Sequence, residues 1–158
     1  MKPLFHSIVL FVKDIERSKK FYTEVLGQEL EYDFGNNVAL KNGITLWKIM
    51  PEHIISLSGK HSKTNVTKAF EVYFETDDLE KVQEVIAKNH LTTLHDLMEE
   101  PWGQRTIRFY DPDKNLIEVG ETLEKFVGRM ARSGMKLEEI SVKTTIPVQI
   151  VKKLLNLT

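Results

Sequence analysis

The chain has 158 residues, 41% of them hydrophobic, which is enough to fill the core of one compact domain or of two small similar modules. A formal charge of −1 and the absence of cysteine exclude a general pull toward nucleic acid or anionic membrane, a disulfide framework, thiolate catalysis and cysteine-ligated zinc. The amino terminus has only a short apolar run without a small-residue cleavage site. No apolar segment approaches the ~20 residues that span a bilayer, so a cytoplasmic protein with no membrane partner is expected.

Phe5 to Val12 is apolar and β-branched and reads as a strand, with Asp14 placed to cap the helix that follows. That helix, IERSKKFYTEVLG, sets Phe21, Val25 and Leu26 on one face and stops at Gly27 in a left-handed cap. Three strands follow near Glu29–Phe34, Val38–Lys41 and Ile44–Ile49, divided by the turn signals Gly35-Asn36-Asn37 and Asn42-Gly43. After a polar connector from Pro51 to Lys68, the order begins again. Phe70 to Thr76 reads as a strand, Asp78 as a cap, and Leu79 to Lys88 as a helix with Val82, Val85 and Ile86 inward and Asn89 at its end. Strands near Leu91–Met98, Arg105–Tyr110 and Leu116–Gly120 complete the second round, so the chain carries an internal repeat of about 64 positions.

Beyond Glu121 the pattern changes. Leu123 to Ser133 is helical with Phe126, Val127 and Met130 inward, and Gly134 closes it. The stretch after it resembles a helix-turn-helix: a short helix carrying Leu137 and Ile140, a turn at Thr144-Thr145, and a second helix with Pro147 at its first position. Its exposed face offers Gln149, Lys152 and Lys153. From Glu121 onward there are seven lysines and arginines against four glutamates, a weak excess for a protein that neutralises many phosphates. Nucleic acid is therefore not the expected partner; the tail is expected to pack on the preceding domain, shield its pocket or join two chains.

Residues 105–120, RTIRFYDPDKNLIEVG, form a strand, a tight Asp-Pro-Asp-Lys-Asn turn, and a strand in which Glu118 stands between Ile117 and Val119. Period-two alternation puts those two apolar neighbours on one face and Glu118 on the other. This hairpin resembles the closing hairpin of the glyoxalase, bleomycin-resistance and extradiol-dioxygenase superfamily, the vicinal-oxygen-chelate fold, where DPxGxxxE supplies a metal-binding glutamate. DIERSKKFYTEVLG also looks like a hallmark of that family. The resemblance covers roughly residues 5 to 121. It implies an α+β fold in which two βαβββ modules, about 5–50 and 69–121, form a curved, partly open barrel around a shared cavity, with residues 122–158 as a helical, helix-turn-helix-like extension.

Metal enzymes of that superfamily take ligands from four inward strand positions, typically His, Glu, His or Gln, and Glu. Counting back from Val12 gives Ser7, and His6 turns inward only if a β-bulge intervenes. The same count from Thr76 gives Glu71, with Tyr73 and Glu75 on its face, and parity gives Thr45 or Trp47 in the fourth strand. Glu118 and Glu71 are thus the candidate metal ligands and the candidate catalytic acid and base. Two carboxylates without an aligned imidazole suit Mg²⁺ or Mn²⁺ better than Ni²⁺ or Zn²⁺, and a site with no metal at all is the alternative. In that case the two carboxyls repel, and one has a raised pKa. Trp47, Tyr73, Phe11 and Trp102 offer aromatic walls; Ser7 and Arg105 complete the candidate ligand-binding set. A small-molecule ligand is expected, in three readings: a glyoxalase-like lyase or isomerase, a metal-free sequestering protein, or a ligand-responsive DNA-binding regulator. Relatives commonly pair, which implies a homodimer.

Overall fold

A computed structural model describes residues 6–48, 50–51 and 71–157. Phe5, Ile49, Phe70 and nearly all of the connector expected over 51–68 lie outside the described residues. The described residues form two compact units: those of 6–51 with Asp111–Asn115, and Glu71–Tyr110 with residues 116–157.

The first unit contains β1 (Ile8–Phe11), α1 (Ile15–Lys20), β2 (Leu30–Asp33), β3 (Asn37–Leu40) and β4 (Ile44–Trp47). Its sheet order is β1-β4-β3-β2, parallel between β1 and β4 and antiparallel elsewhere. Asp14 caps α1, its side chain accepting from the Arg17 amide at 3.1 Å. The helix then widens into a π-helical turn over Phe21–Val25. Tyr22, seven residues after the buried Ile15 and four after the buried Ser18, faces inward at ordinary helical spacing, with Phe21 beside it. Leu10, Val38, Leu40 and Leu46 are buried on the sheet face toward the helix.

The second unit repeats the plan: β5 (Val72–Thr76), α2 (Leu79–Lys88), β6 (Thr93–Glu99), β7 (Arg105–Tyr110) and β8 (Leu116–Glu121), with sheet order β5-β8-β7-β6. The helices begin at Ile15 and Leu79, 64 positions apart, as the repeat requires. Asp78 caps α2 through the Lys81 amide at 2.9 Å. Val72, Ile107, Phe109, Ile117 and Val119 are buried on the face that carries Leu79 and Ile86. Both sheets are mixed, open and flanked by a helix, so the fold is α+β as expected.

Three further helices belong to the second unit: α3 (Leu123–Arg132), α4 (Leu137–Thr144) and α5 (Val148–Leu154). Phe126, Val127, Met130, Ile140 and Val151 form their common core. Thr145 takes a left-handed conformation after α4, and Pro147 occupies the cap of α5 rather than its first helical position. Gln149, Lys152 and Lys153 are exposed.

The helices are fixed to the sheet edge by ions and by close packing. Glu121, 1% exposed, accepts from Arg105 and Arg129, and Glu99 pairs with Arg129 and Lys143. Gly103 has φ +94°, and a Cβ there would lie 1.8 Å from Met130 Cε. Gly103→Ala is expected to lower stability by roughly 2–3 kcal/mol in a denaturant melt. Adding Met130→Ala relieves the collision but leaves the backbone strain of about 1 kcal/mol and empties part of the helical core, so the pair is expected to be no more stable than Gly103→Ala alone.

Candidate functional site

Strand register assembles one row across the second sheet. Tyr73 on β5 lies opposite Glu118 on β8, Glu118 opposite Arg108 on β7, and Arg108 opposite His95 on β6. Directly opposed residues share a face, so these four side chains stand together on the side away from α2. Glu71, two residues before Tyr73, joins the same face. Tyr73 is 46% exposed, whereas Glu118 is 4% exposed.

Arg108 is the hub of the row. Its Nε donates to Glu71 Oε2 at 2.9 Å, its Nη1 donates to Glu100 Oε1 at 2.7 Å and lies 3.3 Å from His95 Nε2, and its Nη2 pairs with Glu118. The Thr106 hydroxyl donates to the same Glu100 oxygen at 3.1 Å. The carboxyls of Glu71 and Glu118 both pair with the Arg108 guanidinium. Burial first, and the neighbouring Glu71 carboxyl second, push Glu118 up to about 7. The hydrogen bond from Arg108 holds Glu71 below the ordinary carboxylate range. Two glutamates thus differ in proton affinity because burial dominates at Glu118 and the Arg108 hydrogen bond dominates at Glu71.

Beside the row, one amide organises two aromatic rings. Gln104 Nε2 donates to the Tyr73 hydroxyl at 2.8 Å and to the Glu121 carbonyl at 2.7 Å, while Trp102 Nε1 donates to Gln104 Oε1 at 3.2 Å. The Tyr73 hydroxyl donates to Glu75 at 3.0 Å. Burial pushes the Tyr73 phenol up to about 12, so it stays a neutral donor at physiological pH. Position 120 is glycine for a spatial reason: a Cβ there would lie 2.8 Å from Gln104 Nε2 and 3.2 Å from the Tyr73 oxygen.

The remaining candidates fall elsewhere. In the first unit the Thr45 hydroxyl bonds that of Ser7 at 3.2 Å, and the Phe11 and Trp47 rings sit 6.1 Å apart at 47°. β1 and β4 run in unbroken parallel register from Ile8 to Phe11, so no bulge turns His6 inward; it precedes β1 and is exposed. Arg105 opposes Glu121 on the face of the second sheet that bears α2, and its guanidinium is engaged by Glu121 and Glu80. It therefore does not stand with Glu118. Arg108, Glu100 and His95 were not anticipated. Arg108 lies between Ile107 and Phe109 in the same alternation that singles out Glu118, and that signal was available.

A match to the family model described as "Glyoxalase-like domain" extends over residues 5–124. The chain belongs to the glyoxalase-like domain family. Within it, the Bacillus subtilis (strain 168) protein YraH is 29% identical over 130 residues, covering 73% of this chain and 96% of that one. A crystal structure of an Agrobacterium tumefaciens (strain C58) protein of unknown function is 35% identical, with a TM-score of 0.63 over 78% of this chain and 97% of that one. The fosfomycin resistance protein FosX of Listeria monocytogenes shares the fold, with 19% identity and a TM-score of 0.59 over 79% and 98% of the two chains. The glyoxalase-like match ends just inside α3. Among the described residues no helix is long and apolar enough to cross a membrane, and no three His, Cys, Asp or Glu side chains are grouped to hold a metal ion.

Proposed function

We propose that this chain binds a small organic molecule on the Tyr73–Glu118–Arg108–His95 face of its second sheet and moves a proton on it, with Glu118 as the acid or base. The observation that carries this reading is the burial of Glu118, 4% exposed, on the same guanidinium as the more exposed Glu71. A carboxyl whose pKa lies near neutrality can both take and return a proton at working pH. Net transfer between adjacent carbons of a carbonyl compound needs no redox partner, which suits a lyase or isomerase of the glyoxalase kind. The exposed Tyr73 and Trp102 rings supply apolar contact for such a molecule. This reading retains the homodimer implied by the family resemblance and the cytoplasmic location expected from the sequence.

The test combines a carboxyl-detected NMR titration with a thermal-shift screen of small carbonyl compounds and amines. One glutamate is expected to titrate near 7, and its signal to vanish in Glu118→Gln. The sign for stability follows from the raised value: the folded protein holds this proton more tightly than the unfolded chain, so stability falls as pH rises from about 4.5 to about 7. Glu118→Gln flattens that slope. A bound compound recovered chemically unchanged would favour sequestration over catalysis. Ordinary titration of both glutamates would remove the proposal.

A further inference from the structure

The superfamily resemblance implies a divalent cation at Glu118, and the donor set around that residue does not fit one. Metal ligands must present free lone pairs of deprotonated groups to a common point. Here Glu71, Glu100 and Glu118 each direct a carboxylate oxygen to a different nitrogen of the Arg108 guanidinium. His95 Nε2 lies 3.3 Å from the same group. The other expected ligand positions, Ser7 and Thr45, bond each other.

Strand register makes this arrangement hard to undo. Arg108 is the direct ladder neighbour of both Glu118 and His95, and its flanking residues Ile107 and Phe109 are buried on the opposite face at 3% and 1% exposure. The side chain cannot swing to the far side without breaking β7 away from β8. Its charge is permanent, because guanidinium does not lose its proton in proteins.

We infer that Arg108 is the resident cation of this site and takes the role in holding the carboxylates that a metal ion plays in metal-bearing relatives. A +1 planar group offers directed hydrogen bonds where a metal offers a Lewis acid, so the site orients carboxyls and stabilises negative charge without exchangeable cofactor. This inference stands apart from proton transfer by Glu118: it concerns what balances the carboxylates, whichever chemistry they perform.

Calorimetric titration and elemental analysis with Mn²⁺, Ni²⁺ and Zn²⁺ test it on the full chain, with melting curves as the second readout. The unaltered protein is expected to take up no stoichiometric metal and to melt at an unchanged temperature when Mn²⁺ is added. Arg108→Ala is expected to melt roughly 5–10 °C lower, because three carboxylates lose their common partner, and to regain part of that loss with Mn²⁺. Arg108→Lys keeps the positive charge, so its melting is expected to be indifferent to Mn²⁺, and this variant serves if the alanine protein does not fold. One equivalent of metal on the unaltered protein, abolished by Glu118→Gln, would overturn the inference. So would an Arg108→Ala protein that melts like the unaltered one.

Discussion

Replacing Asp111 by alanine is expected to lower the unfolding free energy by roughly 3–5 kcal/mol. Asp111 is 2% exposed and accepts four hydrogen bonds: from the Tyr22 hydroxyl at 3.1 Å, and at 2.8 Å each from the amides of Asp113 and Asn115 and from Asn115 Nδ2. Alanine removes every acceptor and leaves the Tyr22 hydroxyl, on a residue with no exposed surface, without its partner. The turn also loses the Asx geometry that organises Asp111–Asn115, so Asp113 loses its aim at Ser18 Oγ, 2.7 Å away. Tyr22→Phe combined with Asp111→Ala is expected to recover about 1 kcal/mol, because the stranded hydroxyl is gone. Urea melts of the three variants check this; an Asp111→Ala loss below about 1 kcal/mol would show that water replaces the lost acceptor.

Glu121→Ala is expected to lower stability by roughly 3 kcal/mol through the second unit. The carboxylate accepts from the Arg105 amide at 3.0 Å, from Arg105 Nε at 2.9 Å, and from Arg129 Nε and Nη2 at 3.2 and 2.9 Å. Arg105 keeps Glu80 and Arg129 keeps Glu99, which holds the loss below that of a fully stranded charge. Burial raises the proton affinity of Glu121, but the hydrogen bonds from Arg129 and Arg105 outweigh it and hold the carboxyl below its usual range. Its stabilisation is therefore complete above the unfolded value near 4.5 and is lost as pH falls through the lower folded value. Between pH 5 and pH 3 the unaltered protein is expected to lose stability faster than Glu121→Gln, by about 1 kcal/mol or more. Parallel slopes would show that Glu121 carries no share of the acid unfolding.

Much of the fold was legible because its signals are local. Asp14 and Asp78 announce two helices through the geometry of a side chain bonding an amide three residues on. Alternation around Glu118 placed Ile117 and Val119 on the helix face without reference to any other strand. Glu71 was reached by counting back from Thr76 and Glu118 from the hairpin motif, and both carboxylates meet Arg108. Arg108 was missed because its meaning is not local. An arginine in a strand ordinarily extends into solvent, and only the register of β7 against β8, set by the five-residue turn between them, puts it opposite Glu118. Glu100 and His95 depend in addition on the register shifts within β6, which no alternation rule supplies. Tyr22 was missed for a different reason, since the inward face was counted from Phe21 rather than from Ile15, which Tyr22 follows at the regular seven-residue interval.

That widened turn over Phe21–Val25 has a consequence for how the domain tolerates length changes. A helix with one surplus residue stores an insertion that an ordinary helix would have to expel into a loop. Deleting one residue between Thr23 and Val25 would restore regular winding and turn the residues from Leu26 onward about a hundred degrees around the helix axis, while leaving the phenol at position 22 on Asp111. The surplus residue thus sets how the chain leaves the helix toward β2, downstream of the phenol that ties the helix to a turn nearly ninety residues further along the chain.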